Sequence, residues 1–257
     1  MKQHLARIIS SEEIMPDVFL LWFEAPQIAA EARPGQFVML QCGECNLLRR
    51  PLSIHNVSED KTGLAVLFAV MGKGTKWLSQ RKPNEYIDIL GPLGSGYNLS
   101  AESHNILLVG GGIGIAPLPF LAQNAMDNGC SVTLLLGATT SCQLCPQHLI
   151  PESVNCVFTT DDGTAHTKGF ITSLLPDYIE KADQIFACGP APMYRAMAKM
   201  PELKNKPVQL SLEVRMGCGF GACYGCTIKT KQGLKQVCKD GPVFNLEDVL
   251  WDELVDI

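Results

Sequence analysis

No stretch of this sequence stays apolar long enough to cross a membrane as a helix. The longest apolar run, Ile106 to Ala122, is interrupted by Gly110, Gly111, Gly112, Gly114, Pro117 and Pro119, which argues against a span and against a membrane partner. Positive charge is also short: 21 Lys and Arg against 26 Asp and Glu leave a net charge of −5, the wrong sign for nucleic acid as a partner. Met1-Lys-Gln-His-Leu-Ala-Arg shows no apolar signal segment, so the 11 cysteines are expected as reduced thiols in the cytoplasm rather than as disulfides. Histidine is sparse, and His4, His55, His104, His148 and His166 have no ligand-like spacing; only His55 lies near a candidate site. There is no internal repeat, no low-complexity tract, and no convincing triad or carboxylate pair. No acid, base or nucleophile is therefore expected from the protein, and the chemistry falls to cofactors.

What is present fits a globular protein. A chain of 257 residues, 46% hydrophobic and 18% charged, is long enough for two domains and a small appendage. Residues 1–98 read as all-β. Val18–Glu24, Gln36–Gln41, Gly63–Val70 and Tyr86–Leu90 are β-rich runs separated by turn signals at Arg33-Pro-Gly, Glu59-Asp-Lys-Thr-Gly and Lys82-Pro-Asn, the pattern of a small barrel. Two motifs sit on it. In Arg50-Pro51-Leu52-Ser53 a guanidinium and a hydroxyl, aimed by a proline of fixed φ, suit a phosphate or the edge of a flavin ring. Gly72-Lys-Gly74-Thr75 is expected as an anion-binding turn of backbone amides and one hydroxyl. Each also matches an ordinary strand end or hairpin turn.

Gly91-Pro-Leu-Gly-Ser-Gly96 marks the expected junction, after which strands and helices alternate as in a parallel α/β sheet. Strands are expected at Asn105–Gly110, Ser131–Gly137, Cys156–Thr160, Gln184–Cys188 and Gln209–Glu213. Helices are expected up to Asn128, near Gly169–Leu175 and near Pro192–Met200. Gly111, Gly112 and Gly114 follow the first strand and open a helix, where a pyrophosphate is received; Pro117 stands in place of the third glycine of the dinucleotide fingerprint. Cys188-Gly189-Pro190 ends another strand at the same carboxyl edge. No arginine follows the second strand to take a 2′-phosphate, which favours NADH over NADPH, and no acidic residue stands there for a ribose. The tail from Glu247 to Asp256 has apolar spacing and is expected as a packed terminal helix.

The densest chemistry lies between Glu213 and Cys238. Cys218-x4-Cys223-x2-Cys226-x11-Cys238 has the spacing of a plant-type [2Fe–2S] loop. An all-cysteine zinc site uses the same ligands, although zinc ribbons pair two short knuckles and this stretch has one. Gly217, Gly219, Gly221, Ala222 and Gly225 let the loop turn amides towards sulfur. Thr227–Thr230 and Leu234–Val237 alternate around Lys231-Gln-Gly233, a hairpin that returns Cys238 to Cys226. Cys42-x2-Cys45 and Cys142-x2-Cys145 offer a second metal site, without the glycine setting.

Taken together, these motifs resemble the ferredoxin–NADP reductase superfamily, and within it the electron-transfer subunits of NAD-dependent dihydroorotate dehydrogenases. The resemblance covers nearly the whole chain. Arg50–Ser53 matches its flavin motif, Gly74-Thr75 its pyrophosphate turn, Leu67-Phe68-Ala69 the strand lining the flavin, and Gly110–Pro117 with Cys188–Pro190 its nucleotide lobe. The segment Glu213–Cys226 with Val237–Phe244 is the most specific match. The resemblance implies a multidomain β plus α/β fold: an FAD-binding barrel (1–98), an NAD-binding α/β domain (99–208) and a [2Fe–2S] domain (209–257), with Cys218, Cys223, Cys226 and Cys238 as ligands. It implies FAD, a [2Fe–2S] cluster and NAD as cofactors. It also implies a separate FMN-containing catalytic subunit in a cytoplasmic heterotetramer, serving pyrimidine biosynthesis. Other flavin/iron–sulfur reductase subunits, of sulfide dehydrogenase, NADPH–ferredoxin oxidoreductase or hydrogenase type, and a cluster-based redox sensor, are the alternatives. The setting of Cys218 disfavours the first group, and the nucleotide lobe disfavours the sensor.

Overall fold

The computed structural model describes residues 1–43 and 47–254. The barrel consists of β1 (Lys2–Met15), β2 (Val18–Glu24), β3 (Phe37–Leu40), β4 (Arg50–Val57), β5 (Gly63–Ala69) and β6 (Tyr86–Leu93), closed in the order β1-β2-β5-β4-β3-β6 with antiparallel neighbours. Two helices join it, α1 (Pro26–Ala29) between β2 and β3 and α2 (Lys73–Ser79) between β5 and β6. Closure leaves no sheet edge to pair with another chain. The interior is filled by Ile8, Leu21, Phe23, Val38, Leu40, Ile54, Val66 and Phe68, each worth about 1.5–3 kcal/mol when fully buried.

β1 carries no clear sequence signal. Ala6 and Ile8 face inwards while Leu5 and Ile9 are exposed, and register shifts at Ile8/Ser10 and Glu13/Met15 break the alternation further, so the period of two is lost. At Gly72–Thr75 the structure replaces the expected turn with a helix start. Gly72 is the N-cap of α2, and Thr75 Oγ1 accepts the N–H groups of Met71 (2.8 Å) and Gly72 (3.1 Å).

The second body is a seven-stranded sheet in the order β10-β9-β8-β7-β11-β12-β15. Its parallel strands are β7 (Asn105–Gly111), β8 (Ser131–Ala138), β9 (Asn155–Thr160), β10 (Thr167–Lys168), β11 (Gln184–Cys188) and β12 (Val208–Ser211). The helices are α3 (Leu118–Asp127), α4 (Pro176–Ile179) and α5 (Ala191–Ala198). After β12 come the hairpin β13 (Thr227–Thr230) and β14 (Gly233–Gln236), α6 (Val237–Asp240), and β15 (Val243–Asn245), which returns antiparallel to β12. Hydrophobic packing joins these parts. Leu20, Ala65 and Leu67 of the barrel share a core with α3; Phe37, Met39 and Leu93 share another with Cys226, Ile228 and Cys238.

Three expectations change. The glycine loop opens a single 3₁₀ turn, Gly112–Ile115, and α3 begins only at Leu118, because Pro117 and Pro119 suit a first turn and not a helix interior. The Gly169–Leu175 segment gives another 3₁₀ turn, Ile171–Ser173, ahead of α4. Beyond β15 the described tail folds as turns, with Leu246 and Val249 buried. Its apolar spacing reports packing rather than a helix.

Gly114 lies against β11: a Cβ there would fall 2.1 Å from the Cys188 carbonyl oxygen. Gly114→Ala must therefore push the loop backbone away from the strand backbone. Overpacking of about 1–3 kcal/mol lowers the melting temperature by about 2–12 °C in a chain of this size. An unchanged melting curve for the purified variant would show that the loops do not meet so closely.

Candidate functional site

A cavity of about 370 Å³ opens where barrel, sheet and cysteine segment meet. Barrel residues Pro51, Leu52 and Ser53 from β4, Leu67, Phe68 and Ala69 from β5, and Thr75 from α2 form one wall. Ile113 and Ala116 of the glycine loop, the Ser211–Met216 segment and Pro242 close the rest. The lining is mainly apolar with a few hydroxyls, which suits a flat aromatic ring with a polar edge.

Arg50 stands behind this wall rather than in it. Its guanidinium donates to the Leu48 carbonyl and packs over Gly74, where a Cβ would come within 2.5 Å of Nε. The two barrel motifs thus touch, and glycine is required at 74 for the approach. The neighbouring Arg49 pairs with Asp88 of β6 at 2.8 Å. Burial acts on Asp88, but the hydrogen bonds from Arg49 and Gln3 prevail and hold its carboxyl below the usual range.

At the carboxyl edge of the sheet, Gly114 abuts Cys188, and a Cβ on Gly111 would meet Pro190 Cδ at 2.9 Å. Gly112, at φ +55°, has open space around it. Gly111, Gly112, Gly114, Cys188, Gly189 and Pro190 therefore form one continuous ledge. Burial raises the Cys188 thiol far above its ordinary value, with Glu213 adding to the effect, so it stays protonated. His55 is buried two residues after Ser53 and bonds through Nδ1 to the Ala116 carbonyl at 2.7 Å. A carbonyl only accepts, so Nδ1 carries the proton. Burial depresses the pKa of this ring, and His55 acts as a neutral strut between barrel and glycine loop.

The loop cysteines come together in pairs. Cys226 and Cys238 have their sulfurs 3.2 Å apart, and Cys223 hydrogen-bonds to Cys218. Two thiols per iron is the donor arrangement of a binuclear centre, and zinc needs four around one ion. Gly221 N–H donates to Cys238 Sγ (3.1 Å) and Ala222 N–H to Cys218 Sγ (3.2 Å). Burial pushes the Cys218 thiol up, yet the amides of Phe220, Cys223 and Ala222 outweigh it and lower its pKa to about 6. Burial, with Cys226 alongside, pushes Cys238 up to about 12; ligation would strip that proton. Gly219 and Gly221 hold φ of +82° and +88°, conformations that a side chain would strain.

Of the other two cysteine pairs, three members are described. Cys42 is buried in the barrel and Cys145 in the sheet core; burial lifts their thiols to about 11 and about 12. Cys142 is exposed, and Cys45 lies outside the described residues.

The sequence reading missed two features of the site. Glu213 and Arg215 line the cavity; strand alternation after Ser211 was the available signal. The Glu213 carboxyl is desolvated and its pKa raised. Acidic residues do lie beside the end of β8, in the turn that follows β9. Asp161 N–H donates to the Ala138 carbonyl (3.0 Å) and Asp162 N–H to the Thr139 carbonyl (3.2 Å). The Asp162 carboxylate is occupied by Thr164, whereas that of Asp161 has no partner among the described residues.

Comparison with known proteins agrees with this geometry. Residues 213–250 match the family model of the iron-sulfur cluster binding domain of dihydroorotate dehydrogenase B. The chain is 40% identical over 256 residues to the electron transfer subunit of dihydroorotate dehydrogenase B (NAD(+)) from Desulforamulus reducens, covering 96% of this chain and 98% of that protein. It is 38% identical to the Bacillus cereus (strain B4264) subunit, over 95% of this chain and 96% of the other. A solved NADH-dependent reduced ferredoxin-NADP oxidoreductase, studied for flavin-based electron bifurcation, superposes with a TM-score of 0.89 at 33% identity, covering 98% of this chain and 91% of that one. A ferredoxin NADP+ reductase from Neisseria gonorrhoeae, with bound FAD and NADP, shares the fold at a TM-score of 0.62 and 17% identity, over 76% and 89% of the two chains. From its likeness to these subunits over nearly its full length, the chain belongs to the family of electron transfer subunits of dihydroorotate dehydrogenase B (NAD(+)).

Proposed function

We propose that this chain carries electrons from the FMN of a separate dihydroorotate-oxidising subunit to NAD+, with FAD and a [2Fe–2S] cluster as its own cofactors. The single observation behind this reading is the shared cavity. Its walls bring Pro51–Ser53 of the flavin-motif strand, the glycine loop and the segment leading into Cys218 to one place. When bound, flavin exchanges a hydride with nicotinamide and single electrons with the cluster, which is why both cofactors are needed.

The protein's contribution is placement. Ser53 and Thr75 present hydroxyls at the cavity, Leu67, Phe68 and Ala69 supply its apolar wall, and Arg50 with Gly74 supports the phosphate end. The ledge of Gly111, Gly112, Gly114 and Cys188–Pro190 receives the dinucleotide. The free Asp161 carboxylate is placed to accept ribose hydroxyls and to repel a 2′-phosphate. Cys218, Cys223, Cys226 and Cys238 hold the cluster. Phe220 and Tyr224 are 47% and 70% exposed on either side of the exposed Cys223, and such aromatic surface suits a protein partner. Residues 1–98, 99–208 and 209–257 serve as flavin, nucleotide and cluster units. Two copies of this chain with two of the partner, in the cytoplasm, complete the reading. Among the described residues no helix is long and apolar enough to span a membrane. The likeness to the bifurcating reductase gives a second reading, a subunit of that enzyme class, which the partner's identity separates from the first.

Arg50→Ala removes a charge-assisted contact of about 1.5–3 kcal/mol, so FAD affinity should fall by roughly 10- to 150-fold in a titration of the flavin-stripped protein. Unchanged affinity would unseat Arg50. Wild-type protein should prefer NADH, and Asp161→Asn should raise kcat/KM for NADPH relative to NADH by about tenfold, as expected when a repelling charge costs about 1.4 kcal/mol; an unmoved ratio would refute the role of Asp161. The function itself is tested with Cys223→Ser in the reconstituted complex. Wild-type chain should contain iron and acid-labile sulfide, two of each, and the variant should lose them. NADH-to-dye activity should survive, while dihydroorotate-to-NAD+ turnover collapses. Full turnover without a cluster, or dihydroorotate oxidation by the isolated chain, would sink the proposal.

A further inference from the structure

Tyr194 is 1% exposed on α5, and its hydroxyl is used twice. It accepts the Gly189 N–H at 2.8 Å and donates to the Ser211 carbonyl at 2.7 Å. Gly189 belongs to the nucleotide ledge, and Ser211 begins the Ser211–Met216 wall of the cavity. One phenol therefore adds a side-chain tie between ledge and wall where the β11–β12 ladder ends at Cys188 and Ser211. A tyrosine needed only to satisfy its hydroxyl in a core could do so with one backbone group; this one spans two segments of different function.

The ring itself is held in place. Its centroid lies 5.6 Å from that of Trp251, whose Nε1 donates to the Leu246 carbonyl at 3.0 Å. The adjacent Arg195 donates through Nη2 to the Leu254 carbonyl at 2.8 Å. The described carboxy-terminal turns thus brace α5 and the tyrosine on it. Burial keeps the phenol protonated, so it can donate and accept at once over the working pH range.

We propose that Tyr194 is a positioning residue for the nicotinamide nucleotide: its hydroxyl holds the Gly189–Pro190 part of the ledge, past the last β11–β12 pair, against the Ser211–Glu213 wall of the cavity. This rests on the nucleotide reading above. Loss of the hydroxyl frees the Gly189 amide, so the part of the ledge past the last β11–β12 pair, Cys188 with Ser211, loses its side-chain tie to the wall. Tyr97 provides a comparison, since its hydroxyl donates to the Ala187 carbonyl at 3.0 Å and also meets the Ser211 side chain, touching the wall but not the Gly189 amide.

The test uses Tyr194→Phe and Tyr97→Phe in the full chain carrying its flavin and cluster. NADH and NAD+ dissociation constants are measured by calorimetry, kcat and KM with a dye acceptor, and melting temperature alongside. Tyr194→Phe should weaken nucleotide binding by about tenfold, a loss of about 1.4 kcal/mol within the range for an unsatisfied buried amide, and leave the flavin spectrum without nucleotide unchanged. Tyr97→Phe should lower the melting temperature without that loss. If Tyr194→Phe yields no folded protein, Tyr194→His, a shorter ring without the phenol hydroxyl, should show the same weakening. Unchanged nucleotide affinity in the folded Tyr194 variant, or equal weakening in the Tyr97 variant, overturns the proposal. Wild-type protein that binds neither nucleotide would refute the nucleotide reading instead, so the two failures are distinguishable.

Discussion

Pro242 is where the separate units of the chain are fastened together. Ser95, just past the last barrel strand, donates its N–H to the Gly241 carbonyl at 2.6 Å. Leu212, just past β12, donates to the Pro242 carbonyl at 2.9 Å. Gln36 of the barrel donates through Nε2 to Gly94 at 2.8 Å. Gly94 itself comes so near that a Cβ would sit 2.6 Å from the proline ring. Barrel, sheet and cysteine segment thus share one set of backbone hydrogen bonds, and Pro242 also lines the cavity. Buried backbone groups must be paired somewhere. Here their pairing is what sets one unit against another, so the site between them inherits its shape from main-chain geometry.

The cysteine loop is tied to the barrel just as closely. A Cβ on Gly219 would meet Met39 Cγ at 2.6 Å, and Met39 pairs with Pro51 in the β3–β4 ladder. A single methionine therefore separates the cysteine loop from the strand that carries Arg50–Ser53. Met39 is completely buried, and its flexible thioether fills an irregular gap of this kind well. Electron transfer asks for short, water-free separations rather than for acids and bases. The tight contacts around Met39 supply such a separation.

Much of this arrangement can be read from residues alone. The x4-x2-x11 cysteine spacing, the β-rich apolar runs of β2 and β5, and the run-glycine-helix order after β7 all depend on local chemistry, which sequence records directly. What stayed hidden was set by tertiary contact. β1 carries apolar residues on both faces and two register shifts, so its period vanishes. The tail's apolar spacing mimics a helix because buried turns can place side chains at similar intervals. The residue proposed for a ribose, Asp161, follows the third strand where the dinucleotide pattern looks after the second, since strands adjacent in the sheet put their ends side by side. Tyr194 and Glu213 look like any helix tyrosine and strand glutamate until the sheet brings them together.

The cavity has a consequence for how the protein is assembled. No unit owns it: the barrel, the glycine loop and the cysteine segment each supply only a share of the lining. A molecule filling it therefore recognises the docked arrangement and has little to hold in the separated units. By mass action, such binding adds its free energy to the docking equilibrium. Cofactor supply and chain assembly then become two sides of one linked equilibrium, with flavin availability setting how much of the chain stands ready to receive the rest of its electron pathway.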